Sequence, residues 1–343
     1  MERGIEEVVL GGARQFTRVQ VCALSGVPVE RAMALWRALG FATVADGAVV
    51  FTEGDAEALR LADRLMSAGI VDPELATATA RVLGQHLSRL AEWEVDVLRS
   101  VLEANPEQGD PRRLVEGLLP DLARIQSLVW RRHLAAHAGR VLASSDLESR
   151  EQVVGFADMV GFTAWTRRSD EHELVRLVDR FDAVTAEVVA DNHGRIVKML
   201  GDEVLFVADE PEHGARIAVE LLERAEADPE LPPLRAGLGY GRVLSRYGDV
   251  YGSVVNIASR LTSAARPGAV LVDKGLANAL GDGADFTTRA RRPISVRGYP
   301  RLRHSVLRRA TTPGRTGRDV PNGEAVAMSE VPADPGPRKR SRR

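Results

Sequence analysis

The chain has a single cysteine, Cys22, among 343 residues. No internal disulfide can form, which fits a reducing compartment. Lysine is almost as scarce: Lys198, Lys274 and Lys339 are the only three among 46 basic residues, and the rest are arginine. Net charge is nearly absent at −2, so charge alone implies no polyelectrolyte partner. No apolar run long enough to cross a bilayer is uninterrupted, because each candidate carries Arg, Asp or Glu. The N-terminal MERGIEEVVLGG places acids where a secretory leader has a basic stretch and then a longer apolar one. These absences predict a cytoplasmic protein with no transmembrane segment.

At roughly 100–200 residues per domain, two domains are expected. Residues 1–143 read as helical. TRVQVCALSG and PVERAMALWRAL form two short helices around a Gly26 turn, and ATVADGAVVF carries a hairpin signal at Asp46-Gly47. A helix from Asp55 to Ala68 follows, then two long ones over about 73–104 and 112–142. Asp72-Pro73 and Asp110-Pro111 supply a capping acid before an N1 proline. Pro120 is expected to bend or split the second long helix. SSDLESRE, 144–151, is polar and aperiodic and reads as a linker. Over 152–310 short strand-like runs alternate with helices, the pattern of an α/β or α+β domain. The Pro-, Gly-, Arg- and Ser-rich tail, 311–343, is expected to be disordered, and its RKRSRR end reads as a solvated charge run.

Chemistry concentrates in three segments. In VVGFADMVGFT an apolar strand runs into Asp158, then turns through Gly161 into a helix whose first N–H groups can receive phosphate oxygens. In RIVKMLGDEVLF two apolar runs flank Gly201-Asp202, a hairpin with an acid at its tip. Two carboxylates on adjacent strands suit divalent cations completed by substrate phosphates; singly, each is ordinary turn chemistry. In YGDVYGSVVNIASRLTSAA, Asn256 and Arg260 lie four apart on one helix face, and a guanidinium suits charge on a phosphorus centre.

FADMVGFT, KMLGDE and GDVYGSVVNIASRL, in this order, resemble the three main motif blocks of the class III nucleotidyl cyclase catalytic domain. The resemblance covers about residues 150–308 and is nearest to soluble mycobacterial-type adenylate cyclases with an N-terminal regulatory region. It implies a ferredoxin-like α+β catalytic domain behind an all-α regulatory domain, and a homodimer with shared sites. Asp158 and Asp202 resemble the metal-binding aspartates, with the Met159 carbonyl as a further ligand for two Mg²⁺ or Mn²⁺ ions. Lys198 and Asp249 resemble the pair that reads adenine, a choice that guanylate cyclases make with Glu and Cys. Asn256 resembles the residue that positions the ribose, Arg260 the one that neutralises the α-phosphate, and Arg297, in VRGYP, a triphosphate contact. The implied reaction is attack of the ATP ribose 3′-oxygen on the α-phosphorus, with pyrophosphate leaving.

The N-terminal segment 17–70 resembles a winged helix-turn-helix of the MerR type. Its recognition helix offers Arg31 and Arg37 but also Glu30, and its wing has no basic residue and carries Asp46. DNA affinity rests on basic contacts to phosphate, so docking is expected in place of nucleic-acid binding, and Cys22 is expected in a core. His133 and His137, four apart before the linker, are a titratable or metal-binding pair if not merely a surface one. A small regulatory ligand, a proton or a fatty acid, is expected at this region from the resemblance. The alternatives are a DNA-binding regulator with a nucleotide-sensing cyclase-like domain, and a guanylate or diguanylate cyclase, whose GGDEF hairpin LGDEV resembles.

Overall fold

The computed structural model describes residues 2–69, 72–104, 110–142, 149–281, 283 and 285–310. It begins with six helices: α1 (Glu2–Val9), α2 (Arg18–Ser25), α3 (Val29–Ala38), α4 (Glu53–Ser67), α5 (Pro73–Ala104) and α6 (Pro111–Leu142). Thr17 with Gln20 caps α2, and Thr52 with Asp55 caps α4, each by a reciprocal box that satisfies two free N–H groups. Asp72 and Asp110 accept from the first-turn amides of α5 and α6. Val21, Cys22, Val27, Ala32, Ala56 and Leu59 form a small core, so Cys22 is a packing residue, and burial pushes its thiol up.

Two expectations need correction here. The residues about Asp46-Gly47 make a turn but no two-stranded wing: the second arm leaves for Phe16, with which Phe51 forms an isolated bridge. The pull is apolar, since the Phe51 ring stacks on Trp36 at 4.5 Å. Of the bend or split expected at Pro120, the split does not occur, since α6 runs through it. One lost backbone bond, about 3 kcal/mol, is carried by the helical turns on both sides. His133 and His137 both lie on the exposed surface of α6.

The remainder comprises β1 (Ser149–Met159), α7 (Phe162–Thr166), α8 (Glu171–Asp191), β2 (Arg195–Met199), β3 (Glu203–Ala208), α9 (Pro211–Ala227), β4 (Leu234–Arg246), β5 (Asp249–Tyr251), α10 (Ser253–Ala264), β6 (Val270–Asp273), α11 (Lys274–Leu280), β7 (Phe286–Ala290), β8 (Ile294–Val296), β9 (Tyr299–Leu302) and β10 (His304–Arg309). The main sheet runs β2-β3-β1-β4-β6-β10-β7, with β5 paired to β4; β4 and β6 are parallel. Of the expected linker, 144–148 lie outside the described residues. Ser149–Glu151 already pair with Leu244–Arg242 of β4 and belong to the sheet. The tail 311–343 also lies outside the described residues. No helix among the described residues is long and apolar enough to cross a membrane.

Apolar side chains cover both faces of the sheet. Leu177, Phe181, Val184 and Val188 of α8, spaced as one helix stripe, join Ala215, Ala218 and Leu222 of α9 against Val153, Ala157, Val204 and Phe206. On the other face Val254 and Ala258 of α10 meet Val154, Phe156, Leu205 and Val207. The β8–β9 hairpin packs beside α10 through Ile294, Val296 and Tyr299. Gly237 lets α10 lie directly on β4: a Cβ there would fall 2.2 Å from the Thr262 backbone nitrogen.

Candidate active site

Strand alternation sets the site. Val154 and Phe156 on β1, and Leu205 and Val207 on β3, face α10, so Asp158 and Glu203, in phase with them, face the same side. Pairing aligns Glu203 with Asp158, and Asp158 with Arg235. A row Glu203–Asp158–Arg235 thus crosses three strands on the α10 side. Asp202 sits in the turn beside it, its carbonyl accepting from the Met159 amide at 2.9 Å, which ties the end of β1 to the hairpin tip.

The Arg235 guanidinium grips Asp158, with Nε at 2.7 Å and Nη2 at 2.5 Å from Oδ2, while Nη1 donates to the Ser263 carbonyl near the end of α10 at 3.2 Å. Burial pushes the Asp158 carboxyl up; Arg235 opposes this, and Asp202 adds to it. Glu203 is raised to about 7, by burial first and then by Asp158 and Asp202, with Arg235 in opposition. One guanidinium does not balance three crowded, partly desolvated carboxylates, Asp158, Asp202 and Glu203, and their hard oxygens suit Mg²⁺ or Mn²⁺. Among the described residues no three His, Cys, Asp or Glu side chains are grouped closely enough to hold an ion by themselves. The donor set therefore fits cations whose shells are completed by main-chain or substrate oxygens.

A second group lies on the β2 and β4–β5 side. Tyr247 and Gly248 both take positive φ, +56° and +83°, the signature of a two-residue type I′ hairpin. That turn delivers Asp249 opposite Arg246 at the start of β5. Lys198 Nζ donates to Asp249 Oδ2 at 2.7 Å. Burial acts to raise Asp249, but the Lys198 hydrogen bond, the Val250 amide and the charges of Lys198 and Arg195 outweigh it and hold the carboxyl below its ordinary range.

Asn256 and Arg260 are on α10, on the side away from Val254, Ala258 and Leu261, which are buried. Among the described residues neither side chain has a hydrogen-bond or ion-pair partner, and no such bond joins the acidic row to the Lys198–Asp249 group. The chain brings Asp158, Met159 and Asp202 together, and Lys198 with Asp249. It does not bring Arg297 to either group: that residue is exposed at the tip of the separate β8–β9 hairpin. Glu203 and Arg235 were not expected from the motifs. Arg235 had a signal, since it interrupts the apolar and glycine alternation of LRAGLGY.

An acidic row and an ammonium–carboxylate couple on one face of such a sheet are the parts of a class III nucleotidyl cyclase. Residues 147–308 match the family described as the adenylate and guanylate cyclase catalytic domain, and residues 6–108 match the adenylate cyclase regulatory domain. An adenylate cyclase of Streptomyces coelicolor is 45% identical over 284 residues, covering 80% of this chain and 74% of that protein. One of Glutamicibacter nicotianae is 37% identical over 318 residues, 86% and 79% of the two chains. A Mycobacterium tuberculosis protein described as a pH-sensitive adenylate cyclase is 34% identical over 312 residues, 85% and 78%. The chain belongs to the class III adenylate cyclase family, in the branch that carries this regulatory domain ahead of the catalytic one.

Proposed function

We propose that the chain converts ATP to 3′,5′-cyclic AMP and pyrophosphate at sites that two copies complete together. The observation that carries this is the Lys198–Asp249 pair, 2.7 Å apart and unlinked to the acidic row of its own chain. Lys198 would donate to adenine N1, and Asp249 would accept from the 6-amino group. Guanine presents the opposite polarity at both edges, and a buried mismatch discriminates strongly. Two divalent cations at Asp158, Asp202 and the Met159 carbonyl would supply charge that acidifies the ribose 3′-hydroxyl and neutralises phosphate oxygens. Asn256 would orient the ribose. Arg260, half-buried and unpaired, would meet negative charge growing on the α-phosphate. With a cation held by Asp158, the part of the Arg235 guanidinium that now grips that carboxylate would be available to phosphate oxygens. Arg297, exposed on its hairpin, would reach a triphosphate only across a dimer interface.

The domain division belongs to the same reading, with the catalytic part beginning at Ser149, where β1 joins the sheet, in place of 152: a regulatory part over 1–143 restrains the catalytic pair, and a tail follows at 311–343. A largely apolar cavity of about 310 Å³ among the N-terminal helices, bordered by Met33, Trp36 and Phe51, with Arg37 at its edge and Arg14 and Arg18 already paired to Glu6 and Asp46, supports a fatty-acid regulator. Arg18 pairs with Asp46 and Arg31 with Asp63; cations so neutralised argue against DNA.

The test is product identification from the full chain with Mg²⁺ or Mn²⁺ and ATP or GTP, across pH and with added fatty acid. Cyclic AMP from ATP, with little cyclic GMP from GTP, is expected. Cyclic diguanylate, or no cyclic product under any condition, contradicts the proposal.

A further inference from the structure

We propose that α5 and the Lys198–Asp249 pair of the same chain form a non-catalytic site for an adenine nucleotide without a divalent cation. The proposal rests on the reading of that pair as the purine-recognising couple. An open cleft of about 640 Å³ separates α5 from the β2 and β4–β5 edge, with Lys198, Asp249 and Tyr247 on one wall and Arg81, Arg89 and Trp93 on the other. The two walls are close: a Cβ on Gly248 would lie 4.0 Å from His86 Nε2.

The α5 wall has a pattern. Arg81, Gln85, Arg89 and Trp93 recur every four residues and make one stripe along the helix. Among the described residues neither arginine has an ion-pair partner, although Arg81 also borders a neighbouring cleft with Asp72 and Glu74. Trp93 is 62% exposed, so its ring is free to stack. The cleft thus presents a donor–acceptor couple for the adenine edge, an aromatic plane for the base and two unneutralised guanidinium groups for phosphate. The arginines supply directly the positive charge that metal ions supply in the catalytic arrangement. In the proposed shared site the partner's acidic half would border this face, so the two arrangements would exclude each other.

The experiment is calorimetric titration of the full chain in EDTA, where no turnover occurs, with ATP, GTP and inorganic tripolyphosphate. ATP is expected to bind, GTP more weakly, and tripolyphosphate weakest. The Arg81→Gln/Arg89→Gln double variant is expected to lose about tenfold or more in ATP affinity, and Lys198→Gln a similar amount. Asp158→Asn is expected to stay within about twofold, because the acidic row takes no part. Both arginines are exposed, so the double variant keeps its fold, which a thermal melt checks. Absence of ATP binding in EDTA, equal binding of tripolyphosphate, or a loss in Asp158→Asn matching that of the arginine variant overturns the proposal. Cyclase turnover is scored separately: cyclic AMP production without this binding defeats the α5 site alone, and binding without cyclic AMP defeats the catalytic reading alone.

Discussion

Gly237→Ala tests whether the position of α10 governs the chemistry. The new Cβ would lie 2.2 Å from the Thr262 nitrogen, 2.6 Å from the Ala258 oxygen and 2.7 Å from the Leu261 carbonyl carbon, all backbone atoms of α10. Ordinary contact begins near 3.4 Å, so the helix must rise by about 1 Å, because no side chain is there to give way. Overpacking of this kind costs about 1–3 kcal/mol, which at this size lowers Tm by about 2–12 °C. The lift carries Asn256 and Arg260 with it, and a displacement of about 1 Å at a reacting centre costs on the order of a hundredfold in rate. The assay is kcat for cyclic AMP formation beside a circular-dichroism melt of the same preparation. A folded variant with wild-type kcat refutes the reasoning.

Glu203→Gln addresses the acidic row. The folded carboxyl ionises at about 7 against an ordinary 4.5, so between those values the folded state holds more protons than the unfolded one. Metal-free stability contributed by this group is therefore full below about pH 4.5 and declines as pH rises to about 7, by about 3 kcal/mol at most. Chemical denaturation in EDTA across that window is expected to show a flatter slope in Glu203→Gln, and an unchanged slope contradicts the assignment. Asp249→Asn removes a charge-assisted acceptor worth about 1.5–3 kcal/mol. It is expected to lower kcat/KM for ATP by roughly 10–100-fold and to narrow the preference over GTP; an unchanged ATP-to-GTP ratio tells against purine reading by this pair.

Local signals were legible where one segment carried them whole. The helix 171–191 has its boundaries written in Asp170, Glu173 and the stripe Leu177, Phe181, Val184 and Val188. Lys198 stood out as a lysine in an arginine-rich chain, and the acid at the end of an apolar strand marked Asp158. What was not legible depended on which strands become neighbours. Glu203 and Arg235 acquire meaning only through the register that sets both opposite Asp158. LRAGLGY marked the first half of β4, but its extension to Arg246 and the hairpin into β5 escaped, because the turn uses Tyr247 at a positive φ, where Asn or Gly is the usual signal. The missing wing reflects a tertiary pull on Phe51 that local turn chemistry at Asp46-Gly47 does not contain.

Mixing Asp158→Ala with Asn256→Ala chains, each inactive alone, tests the shared site most directly. In a mixed pair one of the two sites receives an intact acidic half and an intact α10 half. Random pairing at equal amounts should therefore recover about a quarter of wild-type activity. Verified mixed dimers no more active than their parents would contradict the account.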